Sequence, residues 1–154
     1  MKIIAVSDTH GREEALRWAY TQHPEADMFL HLGDGYSELK ALMDQHPQKL
    51  IAGVAGNCDI FTDQPEERIF TLEGVKILAC HGHKRGVKLG LHALRKYCRD
   101  NGIKLCFFGH THHPLCAERD GCWFLNPGPC QNFGSKLAVA EIENGEVTCY
   151  LTEI

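Results

Sequence analysis

Residues 1–12, MKIIAVSDTHGR, govern how the rest of the chain reads. The apolar run Ile3 to Val6 stops on Ser7-Asp8-Thr9-His10-Gly11, and an apolar run of that length closed by polar residues and Gly is the pattern of a buried strand. Asp8 and His10 then emerge at its C-terminal end, where open α/β sheets place their ligands. Two residues apart on an extended segment, they share one side and can grip a cation together. Alone the pair says little, since an Asp after a strand is more often a cap or a turn residue.

The pattern recurs downstream. Glu13 to Gln22 carries Ala15, Leu16, Ala19 and Tyr20 at helical spacing, with Glu13 and Glu14 where the helix dipole favours acid, and His23-Pro24 ends it. Met28 to Leu32 is a second strand, stopped by Gly33-Asp34-Gly35. Tyr36 to His46 is a second helix, with Leu39, Leu42 and Met43 inward, and Leu50 to Ala55 is a third strand, stopped by Gly56-Asn57-Cys58-Asp59. This βαβαβ order predicts a parallel sheet with helices on its faces. After a loop at 60–66, Arg68 to Leu72 and Val75 to Cys80 are strands joined at Glu73-Gly74, the second running into His81-Gly82-His83. Val87 to Asn101 reads as a third helix, with Val87, Leu91, Leu94 and Cys98 on one face and Gly102 as its stop. Leu105 to Phe108 is a strand ending in Gly109-His110-Thr111-His112-His113-Pro114. Residues 115–125 read as short strands about Asp120-Gly121, and Asn126-Pro127-Gly128-Pro129 as a rigid turn. Lys136 to Ile142 and Val147 to Thr152 flank Asn144-Gly145, a strong hairpin signal.

A length of 154 residues, 44% of them hydrophobic, suffices for one domain with a real core, and no linker, repeat or low-complexity tract divides residues 1–154. The net charge of -4 argues against a stable nucleic-acid partner, so any phosphate must be held locally. Several of the eight cysteines sit inside apolar runs, at 78–80 and 105–108, where a reduced thiol acts as a small core residue. The absence of a CxxC pair removes support for a zinc finger or a thioredoxin-like site. Asp8 lies too close to Met1 for a removable signal peptide to precede it, which points to the cytoplasm, and no apolar stretch approaches the roughly 20 residues of a membrane span. The sequence leaves a homo-oligomer open.

The expected strand ends carry one chemistry: Asp8-x-His10, Gly33-Asp34, Gly56-Asn57, His81-Gly82 and Gly109-His110-Thr111-His112. Singly, each has an ordinary explanation as cap, turn or loop residue. Together, seven ligand-type residues at strand termini beside Gly, which lets backbone approach closely, are hard to reach by chance. The series DTH, GD, GN, HG, GHTH resembles the calcineurin-like metallophosphoesterase superfamily, and the short chain with GNCD is similar to its small bacterial and archaeal phosphodiesterase branch.

That resemblance implies an α/β fold, a four-layer α-β-β-α sandwich, with a dinuclear metal site at strand C-terminal ends. By motif position one ion falls to Asp8, His10 and His112, the other to Asn57, His81 and His110, and Asp34 bridges them. The mixed imidazole, carboxylate and amide set suits two divalent ions, manganese foremost, with iron, nickel or zinc as others. The implied reaction is hydrolysis of a small phosphoester, a phosphodiester before a monoester, by a metal-bridging hydroxide attacking phosphorus in line.

Two departures stand out. Cys58 occupies the place where many relatives carry a His that protonates the leaving oxygen; the thiol is either a proton donor or small filler, and Asp59 beside it is placed to orient an imidazole at position 58. Pro129 follows Asn126-Pro127-Gly128, where the family often writes Ser. The basic run His83, Lys84, Arg85 and Lys88 follows His81 closely enough to meet phosphate, or is a solvated face. The rival reading is a non-catalytic interaction module of the retromer-subunit type on the same fold, which predicts missing ligands.

Overall fold

A strand covered on both faces must be apolar at every position, and the opening run is used in this way. In the computed structural model, which describes residues 1–154, β1 (Lys2–Val6) turns Ile3 and Ala5 to one face and Ile4 and Val6 to the other, all four fully buried. β1 is the middle of a five-stranded sheet. On one side it pairs in parallel with β2 (Met28–His31), which pairs in parallel with β3 (Ile51–Gly53). The helices α1 (Glu13–Thr21) and α2 (Tyr36–Gln45) make the two crossovers. On its other side β1 meets the C-terminal hairpin, which closes that edge antiparallel.

The second sheet begins with the hairpin β4 (Glu67–Leu72) and β5 (Val75–Cys80). β5 pairs in parallel with β6 (Leu105–Phe107) after the crossover helix α3 (His92–Asp100). The hairpin β7 (Leu115–Arg119) and β8 (Cys122–Asn126) completes the order β4-β5-β6-β8-β7. The C-terminal hairpin of the first sheet is β9 (Lys136–Glu143) and β10 (Glu146–Glu153), turning on Asn144 and Gly145 at φ 51° and 81°, as a two-residue turn with both centres left-handed requires.

Three packed layers of side chains hold the four layers of backbone. Between the sheets lie Ile3, Ala5, Leu30 and Leu32 from one and Ile77, Ala79, Leu105, Phe107 and Leu125 from the other. Leu16, Ala19, Leu39 and Leu42 of α1 and α2 cover Ile4, Val6, Phe29 and Val139. Leu94 and Cys98 of α3 cover Leu78, Cys80, Cys106 and Phe124. This is the expected α-β-β-α sandwich. All eight cysteines are free, and Cys80, Cys98, Cys106, Cys122 and Cys130 are buried, as small core residues. Each fully buried Leu, Ile or Phe contributes roughly 1.5–3 kcal/mol, so the frame can hold strained backbone at its strand ends.

One element departs from the sequence expectation. The helix read as Val87 to Asn101 begins only at His92; two 3₁₀ turns, His83–Arg85 and Val87–Leu89, precede it. Gly90 sits at φ 126° and ψ 171°, a conformation confined to Gly, and no helix passes through it. Val87 is nevertheless buried and Leu91 packs on the same cluster, so the apolar spacing continues across the break. No helix is long and apolar enough to cross a membrane.

Candidate metal centre

Parallel pairing brings the C-terminal ends of β1, β2 and β3 to one edge of the first sheet, and those of β5 and β6 to one edge of the second. Beyond the strands the loops stay zipped: Asp8 N–H donates to Gly33 O and His10 N–H to Asp34 O, both at 3.0 Å, and Gly109 N–H donates to His81 O at 3.0 Å. Across the gap between sheets His81 Nδ1–H donates to Leu32 O at 2.7 Å, and His110 N–H to Asp8 Oδ2 at 3.2 Å. A Cβ on Gly109 would collide with Ser7 Oγ and stand 3.0 Å from Asp8 Oδ2, so this crossing requires glycine. Asp8, His10, Asp34, His110 and His112 all have φ between 45° and 66°. Non-glycine residues in that region cost about 1–3 kcal/mol each and persist where the surroundings over-determine them; five together at one edge mark a site held for its chemistry.

The two carboxylates each keep one oxygen for the frame and one for the centre. Asp8 Oδ2 accepts from Ser7 Oγ (2.5 Å) and His110 N–H, which leaves Oδ1 facing His112 Nε2 at 3.1 Å and His10 Nε2 at 3.8 Å. Asp34 Oδ1 accepts from Cys58 N–H at 2.8 Å, while Oδ2 faces His81 Nε2 at 3.3 Å and His10 Nε2 at 3.8 Å. His81 Nε2 also lies 3.1 Å from both Asn57 Oδ1 and His110 Nδ1. The Leu32 carbonyl fixes the His81 proton on Nδ1 and turns the Nε2 lone pair inward, the second-sphere arrangement typical of metal-binding histidine. Burial works to raise the Asp34 pKa, but His81, which when doubly protonated also donates from Nε2, and the Cys58 N–H hold it well below the usual carboxylate range. Burial likewise works against charge on His81, yet Asp34 and Asp8 raise its pKa overall. The pocket therefore favours positive charge between these groups, and of three sets close enough to share an ion, two without sulfur, Asp8-His10-His112 and Asp34-His81-His110, fit a divalent cation each. All seven side chains singled out in the sequence lie along this edge.

Residues that sequence patterns did not single out brace it. Glu38, buried in the first turn of α2, accepts from Thr9 Oγ1 (2.8 Å), Gly11 N–H (2.6 Å) and Ser37 Oγ (2.5 Å). His31 Nδ1 accepts from Gly33 N–H (3.2 Å), which puts its proton on Nε2, 3.0 Å from Thr9 Oγ1. Asn126 Nδ2 ties Gly109 O (3.0 Å) to Thr111 Oγ1 (2.9 Å), and Pro129 bridges to Ser7. Asp59 accepts from four main-chain N–H groups, of Asp34, Gly35, Tyr36 and Gly56, at 2.7–2.9 Å. It caps α2 and locks two loops together, so both its oxygens are committed to backbone and none remains to orient a side chain at position 58. The expected role beside Cys58 gives way to a positioning role.

Burial pushes the His31 pKa down to about 4, against the pull of Asp59, Glu38 and Asp8. The unfolded chain takes up this proton near pH 6.5, so between 6.5 and 4 it holds more protons than the fold. The contribution of His31 is then complete above pH 6.5 and is lost as pH falls towards 4, by about 3 kcal/mol at most. Chemical unfolding of wild type and His31→Gln from pH 7 to 4 checks this: the stability difference between them shrinks with falling pH, and a difference flat in pH refutes it.

The basic run divides. Lys84 pairs with Glu66 at 2.5 Å, and Arg85 forks onto Glu67 at 2.7 and 2.8 Å and lies 3.6 Å over the Tyr97 ring, which favours the solvated-face reading for both. Lys88 is exposed, unpaired, and close enough to His110 to help lower its pKa. His83 has a buried Nδ1 without a partner, its ring 5.4 Å from that of His81 and 6.1 Å from that of His110; burial and the His81 charge push its pKa down. On the other side His10, Asp34, Tyr36, Cys58 and Ile60 line a cleft of about 250 Å³.

Residues 1–145 match the family described as the calcineurin-like phosphoesterase superfamily domain. The chain is 33% identical over 154 residues to the probable metallophosphoesterase YsnB of Bacillus subtilis, covering 96% of this chain and 88% of that one. It is 29% identical over 153 residues to the phosphodiesterase YfcE of Escherichia coli, covering 83% and 78%. The crystal structure of a conserved Streptococcus pneumoniae protein, a predicted phosphoesterase, is similar with a TM-score of 0.83 and 25% identity, covering 99% of this chain and 88% of that one.

Proposed function

Because the chain belongs to the calcineurin-like phosphoesterase superfamily, we propose that it is a dinuclear metal-dependent phosphodiesterase acting on a small phosphoester, with residues 1–154 as one catalytic domain. The observation that carries this reading is the convergence of imidazole, carboxylate and amide atoms from both sheets, each carboxylate with a single oxygen left for the centre. Asp8, His10 and His112 would hold one ion, Asn57, His81 and His110 the other, and Asp34 would serve both. Two divalent ions there, of manganese, iron, nickel or zinc, would neutralise the phosphate and activate water for in-line attack on phosphorus. Their charge of +4 outweighs the two carboxylates, so an otherwise acidic chain presents a locally positive edge to its substrate. The chain's own part is orientation. Leu32 O keeps the His81 lone pair inward, Ser7 and His110 N–H hold the Asp8 plane, and Asp59 fixes the loop that carries Asn57.

Elemental analysis after reconstitution with Mn²⁺, and separately with Zn²⁺, is expected to find two ions per chain. The loaded protein hydrolyses an activated aryl phosphodiester, with activity lost in chelator. At most one ion bound, with no turnover of any phosphoester, refutes the reading and favours an interaction module on the same fold.

A further inference from the structure

The loop that carries Asn57 brings a further donor to the centre. His10, Asp34 and Cys58 each offer a ligand atom within 4.8 Å of the other two, a spacing that one ion can draw together. Cys58 stands where many relatives of the wider superfamily carry His, so one metal-ligating residue type takes the place of another. We propose that the sulfur of Cys58 is a ligand of the ion shared by His10 and Asp34, and that it biases this centre towards thiophilic metals such as zinc, iron or cobalt over manganese. The proposal rests on the dinuclear reading above and adds a donor to it.

Three features hold the sulfur there. The Cys58 N–H is bound to Asp34 Oδ1 at 2.8 Å, so the carboxylate that faces the ions also sets where residue 58 begins. Asn57 Nδ2–H donates to Cys58 Sγ at 3.5 Å, and the same amide turns its Oδ1 towards His81 Nε2 at 3.1 Å. One side chain thereby couples the sulfur on one side of the centre to the oxygen offered on the other. Finally, the four main-chain bonds of Asp59 keep the 56–59 turn from moving away.

The chemistry separates this role from that of a filler. A thiolate prefers soft or borderline ions, whereas manganese is served by carboxylate and imidazole. On coordination the thiol proton passes to solvent and the sulfur is bound as thiolate. With a single sulfur among nitrogen and oxygen donors, the centre is not a closed structural zinc site.

Metal binding tests this without any turnover. Wild type and Cys58→Ser are titrated with Co²⁺ while near-ultraviolet absorption is followed, and with Zn²⁺ and Mn²⁺ in calorimetry. Serine is close in size and keeps the N–H bond to Asp34. The expected result is a sulfur-to-cobalt charge-transfer band in wild type that is missing in the variant. Zn²⁺ affinity should fall about 10- to 100-fold in the variant, with a much smaller change for Mn²⁺. Two Co²⁺ bound without the band, or equal losses for Zn²⁺ and Mn²⁺, overturns the proposal. Two ions and the band with no phosphoester turnover supports the ligand and overturns the enzymatic reading; no ion bound to either protein overturns both.

Discussion

Asp34→Asn is expected to lower metal-dependent turnover on the order of 10³-fold, the scale set by losing one positioned charge from a water-poor site, and to make the chelated protein less stable. Asp34 is the residue assigned to both ions, and its geometry says what the amide would do. Its Oδ1 accepts the Cys58 N–H, and an Asn oxygen can keep that bond, so the loop stays closed. The amide nitrogen then replaces Oδ2, which lies 3.3 Å from His81 Nε2 and 3.8 Å from His10 Nε2. It would donate into the lone pair that His81 turns inward, removing a negative ligand and occupying a neutral one. Stability falls with activity. The surroundings hold the Asp34 pKa well below the usual carboxylate range, so at neutral pH the ionised carboxylate stabilises the metal-free fold and the amide gives that contribution up. Thermal unfolding in chelator, metal content and diester turnover measure the three together. Near-wild-type metal content and turnover in the variant would show the ligand assignment to be wrong.

The parts of this molecule that the sequence makes legible are those in which one physical demand acts on consecutive residues. β1, β2, β5 and β6 are covered on both faces, so they read as short apolar runs, and the polar residue that ends each run falls at the edge where the ligands gather. Glycine beside them is legible for the same reason, since Gly109 must let one loop pass against Ser7. What stays hidden is how side chains are shared between loops distant in sequence. Asp59 looks like a partner for its neighbour Cys58, yet its oxygens go to Asp34, Gly35 and Tyr36, more than 20 residues away. Glu38 looks like ordinary first-turn acid in α2, and is the anchor of the 9–11 loop. Lys84 and Arg85 look like phosphate contacts until Glu66 and Glu67 are found opposite them across the edge. The overlong helix at 87 had a local signal that apolar spacing outweighed: Gly86 and Gly90 bracket a turn, and both take positive φ.

The last expectation concerns how the rate depends on what leaves. A nitrophenolate departs as a stable anion, whereas an alkoxide departs poorly unless a proton reaches it during bond cleavage, and a positioned donor is typically worth 10²- to 10⁴-fold. This centre is short of such donors. Burial and the charge of Asp34 raise the Cys58 pKa, and a sulfur bound to a metal carries no proton at all. Asp63 raises the pKa of the Tyr36 hydroxyl in the same cleft, and Ser37 Oγ donates to Glu38. His83, on the side of His81 and His110, is pushed by burial and the His81 charge towards its neutral form, which is a poor proton donor. Diester hydrolysis should therefore slow steeply as the leaving-group pKa rises, with alkyl esters about 10² or more below what a donor would allow. In Cys58→His the imidazole restores a donor next to Asp34 and flattens that dependence. A graded series of aryl and alkyl phosphodiesters, assayed with wild type, Cys58→His and Cys58→Ala at equal metal loading, decides it. A shallow dependence in wild type that steepens in Cys58→Ala would mean that the thiol delivers the proton, and would also rule out its place among the metal ligands.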